Sequence, residues 1–100
     1  MSTRLDISLA SVGDWQMARV SGDLDMASSS DLEAACTALS GDVAVDLAGV
    51  EFIDSSGLSS LLRLSSGDGR FVVLNPSDAV LRLFEIARVS DRFDIRDALD

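Results

Sequence analysis

The stretch from Asp46 to Leu58 holds the residues best suited to chemistry: an acidic strand end, two large apolar residues (Phe52, Ile53), and then Asp54-Ser55-Ser56-Gly57. Leu58, Leu61 and Leu62 come next at helical spacing, so the two hydroxyls fall on the first turn of a helix. Asp54 or Ser55 is placed to cap that helix, its side-chain oxygen accepting from a free backbone amide. The positive end of the helix dipole favours negative charge there by about 0.3–1 kcal/mol, and open amides make a phosphate site. Gly57, lacking a side chain, leaves room for another molecule to approach. What these residues offer by themselves is a helix start that can hold negative charge or a phosphate. The same four residues also make a plain capping turn, and spacing alone favours that reading because capping serines are common.

What the rest of the sequence lacks narrows the function. There is no histidine in the 100 residues, which removes Ser-His-Asp and Cys-His machinery and the commonest metal ligand. Cys36, the single cysteine, can form no intrachain disulfide and sits on a helical stripe with Leu32, Ala35 and Leu39. It reads as a small buried hydrophobe. No catalytic residue, cofactor or metal is expected, and the chain is read as no enzyme. The formal charge is −9, from 17 carboxylates against 8 arginines. Such a chain repels nucleic acid and anionic membrane surfaces and attracts a partner with a basic face. There is no run of about 18 apolar residues to span a membrane and no signal-like start. A cytoplasmic location is expected.

The elements that must carry the serines are set by periodicity. Leu5, Ile7 and Leu9 alternate as in a half-buried strand, Val12-Gly13-Asp14 turns, and Trp15, Met17 and Val20 lie on a second strand ending near Ser21-Gly22. Ser30 and Glu33 have the spacing of a capping box for a first helix, which Gly41 stops. Val43 to Leu47 reads as a central strand. Next come the helix after Gly57, a buried strand from Phe71 to Leu74, a third helix capped by Ser77 with Val80, Leu83, Phe84 and Ala87 on one face, and a last strand near Phe93 and Ile95. The order β-β-α-β-α-β-α-β predicts one α/β domain over 1–100, its core about 4–96. Its mixed central sheet has parallel later strands joined by right-handed crossovers.

These residues resemble the signature of STAS domains. The run Asp46-Leu47-Ala48-Gly49-Val50-Glu51-Phe52-Ile53-Asp54-Ser55-Ser56-Gly57-Leu58 is similar to the segment that joins the third strand to the second helix in that family. Gly22-Asp23-Leu24-Asp25 looks like the family's Gly-Glu-Leu-Asp after the second strand, and Pro76 with Val80, Leu83 and Phe84 like its third-helix pattern. The likeness spans Leu5 to Ile95 in order. It implies a STAS fold and the role of an anti-sigma factor antagonist that releases a sigma factor. By the same resemblance, the unphosphorylated chain binds an anti-sigma factor that is a GHKL-type serine kinase. Ser55 is the phosphorylated residue, and a PP2C-type phosphatase resets it. Asp23, Asp25, Asp54, Ser55, Ser56, Gly57 and Leu58 are the implied partner-binding residues.

Ala48 stands where the family commonly has serine and Asp23 where it has glutamate. Between Gly57 and Phe71 the chain is about one helical turn shorter than usual, which predicts a stubby second helix, and little remains for a C-terminal helix. An alternative is a non-switching STAS scaffold or adaptor, as in a stressosome-type assembly or a lipid-transport complex. Phe52 and Ile53 are expected to be buried anchors of the loop that presents Ser55, and Trp15 to pack half-buried on its strand.

Overall fold

The computed structural model describes residues 4–99, and the chain alternates strand and helix as its periodicity requires. Strands β1 (Asp6–Val12) and β2 (Trp15–Leu24) form an antiparallel hairpin. After them come α1 (Ser29–Thr37), β3 (Asp42–Ile53), α2 (Ser55–Ser65), β4 (Phe71–Leu74), α3 (Asp78–Ala87), a 3-10 turn (Ser90–Arg92) and β5 (Asp94–Arg96). The hairpin closes on Gly13-Asp14 with Val12 opposite Trp15, and Gly13 takes φ +59°, which the tight turn needs from its first residue. The five strands lie in the order β1-β2-β3-β4-β5, with the first pair antiparallel and the others parallel.

Each parallel pair is joined by one helix, and all three helices cover the same face. Leu32 and Cys36 of α1, Leu58 and Leu61 of α2, and Val80 and Phe84 of α3 share one core with Val20, Val45, Leu47 and Val73 of the sheet. Phe84 is 0% exposed and stacks on Phe93 with ring centroids 4.7 Å apart. The opposite face is smaller. Trp15, Met17, Ala44, Val72 and Leu74 cluster there with Leu99 against them, and the guanidinium groups of Arg70 and Arg96 lie over the Trp15 ring at 4.7 and 5.7 Å. Trp15 is thus buried rather than half-buried. Cys36 is buried as its stripe predicts, and burial pushes its thiol up to about 11, so it is no nucleophile near neutrality.

Several boundaries differ from the periodicity reading. β3 does not stop at Leu47; it runs to Ile53, beside a β2 that continues to Leu24. Ala48-Gly49 follows the apolar run that reads as the strand and so falls where a loop is expected. The small residues serve a close strand approach instead, since a Cβ on Gly49 would lie 2.7 Å from the Ser21 Cβ, where the register shifts. Helix α2 has 11 residues, so it is of ordinary length and not stubby. Leu9 on edge strand β1 and Ala87 at the end of α3 are exposed.

The capping box at Ser30 and Glu33 does not form. Helix α1 begins two residues earlier than that box requires, with Ser28 at its cap position. Glu33 instead reaches α2, where Arg63 Nε and Nη2 donate to its two oxygens at 2.8 and 2.9 Å and Ser60 Oγ donates at 2.8 Å. This clamp ties α1 to α2. The Arg63 and Ser60 bonds hold the Glu33 carboxyl down to about 2, against 4.5 ordinarily. A carboxylate with a depressed folded-state value stabilises the fold fully above its unfolded value and loses that contribution as pH falls through the folded one. The melting-temperature gap between wild type and Glu33→Gln should therefore be widest above pH 4.5 and close as pH falls toward 2. The pair is solvent-screened, so the gap should also shrink in high salt. A gap constant with pH would show that the clamp carries no charge-dependent stability.

Candidate functional site at the start of the second helix

The two long parallel strands deliver their C-terminal ends side by side, and that pairing assembles the site. Asp23 lies opposite Phe52 and Leu24 opposite Ile53, and the Asp54 amide donates to the Leu24 carbonyl at 3.2 Å. The Gly22-Asp23-Leu24-Asp25 segment is thereby brought beside Asp54-Ser55-Ser56, although about thirty residues separate them. Gly22 sits in the β2 irregularity at φ +97°, a left-handed conformation that suits glycine, and a Cβ there would strike the Arg4 carbonyl.

Asp54, not Ser55, caps α2. Its Oδ1 accepts from the amides of Ser56 (2.9 Å) and Gly57 (3.1 Å), and its carbonyl accepts from Leu58 N at 3.0 Å. Ser55 is the first helical residue, and its side chain is exposed. Because the carboxylate already occupies the amides of Ser56 and Gly57, a phosphate on Ser55 would have to compete for them. It would stand beside a negative charge rather than in an empty cradle. Ser56 is half-buried.

Asp25 spends its carboxylate locally, with Oδ1 accepting from Ala27 N (3.0 Å) and Ser28 N (3.1 Å). Ser28 Oγ accepts from Asp25 N at 3.0 Å and donates back to the Asp23 carbonyl at 2.8 Å. The serine at the α1 cap position therefore stiffens the Asp23–Asp25 turn. Asp23 and Asp25 are half-buried at the rim, beside Asp54. Two of the seven partner-binding positions sit elsewhere than expected: Gly57 and Leu58 are buried. A Cβ on Gly57 would lie 2.6 Å from the Leu24 carbonyl oxygen and 2.8 Å from Leu24 Cγ. The missing side chain makes room for β2 rather than for another molecule.

Gly57→Ala should consequently destabilise the chain. Overpacking against backbone costs about 1–3 kcal/mol, whereas alanine in place of glycine in a helix interior returns only about 1 kcal/mol. A melting temperature raised by Gly57→Ala would refute the close approach to Leu24.

The reading from sequence missed Leu24 as the floor beneath the helix start and the Glu33–Ser60–Arg63 clamp behind it. The 3-residue spacing of Ser60 and Arg63 on one helix face was the available signal for the clamp; no local pattern marks Leu24. Phe52 is also placed differently. It is 50% exposed, while Ile53 is buried, since adjacent strand residues point to opposite sides. Ile53 is the anchor. Among the described residues, no group of acidic or cysteine side chains could hold a metal ion, and no helix is long and apolar enough to cross a membrane.

Known proteins resemble this chain in sequence and in fold. The chain is 28% identical to the anti-sigma-B factor antagonist of Staphylococcus aureus over 96% of each chain, and equally to that of Staphylococcus epidermidis. The crystal structure of an anti-sigma factor antagonist from Mycobacterium paratuberculosis superposes with a TM-score of 0.87. It is 25% identical, covering 97% of this chain and 89% of that one. The anti-sigma factor antagonist SpoIIAA in its unphosphorylated form shares the fold at a TM-score of 0.72 and 24% identity, over 95% and 90% of the two chains. A family model described as Mlab, STAS domain, matches residues 7–97. With that match over nearly its whole length, the five-stranded mixed sheet and the Asp54-capped helix start, this chain belongs to the STAS domain family.

Proposed function

We propose that this chain is an anti-sigma factor antagonist, a binding switch without turnover of its own. In this reading it docks on an anti-sigma factor when Ser55 is unmodified, frees a sigma factor, and is turned off by phosphate on Ser55. The observation that carries the reading is the exposed Ser55 hydroxyl on the first turn of α2, fixed by a neighbouring cap that does not consume it. The antagonist names of full-length relatives support it. The kinase would be the anti-sigma factor itself, of GHKL type, and a PP2C-type phosphatase would reset the switch in the cytoplasm. Asp23, Asp25 and Asp54 form an acidic rim suited to a basic partner face, and Ser56 lies within the docking surface. Gly57 and Leu58 act by setting the helix position.

Incubation with a cognate anti-sigma serine kinase and ATP, with mass spectrometry to locate the modification, tests the reading. One phosphate on Ser55 is expected. Phosphate on Ser56 alone would overturn the site. The matching family model bears the description Mlab, which favours a second reading, the non-switching STAS adaptor; that reading expects stable assembly and no phosphate on either serine.

A further inference from the structure

Phe52, 50% exposed on β3, and Ile86, 71% exposed on α3, face one open groove of about 510 Å³ that Ile53, Leu83, Asp78 and Arg82 also line. Single exposed apolar residues need no explanation. Here two large ones from different elements meet across a groove that begins three residues before Ser55 in the same chain segment. The fold has no need of them, since Ile53 and Leu83 already fill the inner side against the core. We infer that this groove is a second docking point for the anti-sigma factor, taking an apolar side chain carried on a basic surface of that partner; the inference rests on the function proposed above.

Charge selects the occupant. A second copy of the chain would bring −9 against −9, and Arg82 in the groove lining is outnumbered by Glu51 and Asp78, with the acidic rim of Asp23, Asp25 and Asp54 beyond. A basic partner is drawn to that field and a second copy is repelled. An apolar pocket ringed by charge is also the form in which a few residues dominate binding. The groove would contribute to partner choice while the phosphate state of Ser55 sets whether docking occurs.

The test measures binding of the full chain to a panel of anti-sigma serine kinases from the genome that encodes it. Ile86→Gln keeps a helix former on the solvent side of α3, and Phe52→Thr keeps a strand former on β3, so both should melt like wild type. Each should weaken binding about tenfold. Leu9→Ser, on the far edge strand, is the control and should bind as wild type. Wild-type affinity in both groove variants, with wild type itself binding, would overturn the groove and leave the Ser55 reading standing. A wild-type chain that binds no kinase of the panel would overturn both. A wild-type dimer dispersed by Ile86→Gln would overturn the basic partner in favour of a second copy.

Discussion

Phosphate on Ser55 is expected to weaken anti-sigma factor binding by roughly 2–5 kcal/mol while leaving the melting temperature nearly unchanged. The group adds about −1.5 to −2 charge. Ser55 is exposed on the first turn of α2, so no packed side chain has to move. The amides of Ser56 and Gly57 already donate to Asp54 Oδ1, which leaves the phosphate outside the cap and next to a carboxylate. Docking would then have to desolvate two adjacent negative groups, and that is the source of the expected loss. Ser55→Ala should remain folded and bind constitutively. It should lose none of the roughly 1 kcal/mol of a cap, because Asp54 is the capping residue. Ser55→Asp should bind weakly, as a partial imitation of the phosphate, and Ser56→Ala should still be phosphorylated on Ser55. Calorimetry on the two forms reads the affinity and thermal melting reads the fold. Equal affinities would end the switch, and a melting temperature lowered by many degrees would mean that phosphate disrupts the helix start instead of the interface.

Phe84→Ala should cost about 3–5 kcal/mol, the full range for removing a buried phenylalanine. Its ring is 0% exposed, packs at the centre of the core beneath α3, and stacks on Phe93, so the cavity would be lined from several elements and could not close easily. Against a total stability of about 5–15 kcal/mol for a domain, that is a large fraction. Phe52→Ala provides the contrast. Half its surface is already in water, so the loss should be under about 1 kcal/mol. Urea unfolding of both variants, compared at equal slope, makes the measurement. Comparable losses would place Phe52 in the core and remove the groove that its side chain helps to form.

Much of this protein was legible in one dimension because local physics decided it. Alternation marked the first hairpin, short apolar runs marked β3 and β4, and the 3.6-residue period marked the helices, while Ser77 announced its cap and Cys36 lay on the stripe that buries it. The helix start at Asp54-Ser55-Ser56-Gly57 was marked by its residue types and by the leucines at helical spacing after it. Three things were decided only by tertiary structure, each because the deciding partner is distant in sequence. Glu33 could cap its own helix or bond Arg63 across to α2, and the nearness of the two helices settled it in favour of a charge-assisted pair. Gly57 could admit a ligand or a neighbouring strand, and the pairing of Leu24 with Ile53 filled the space with β2. Phe52 and Ile53 are equal as apolar letters, but the register shift against β2 between Val50 and Phe52 resets which residues face the core, burying Ile53 with Val50 and leaving Phe52 exposed.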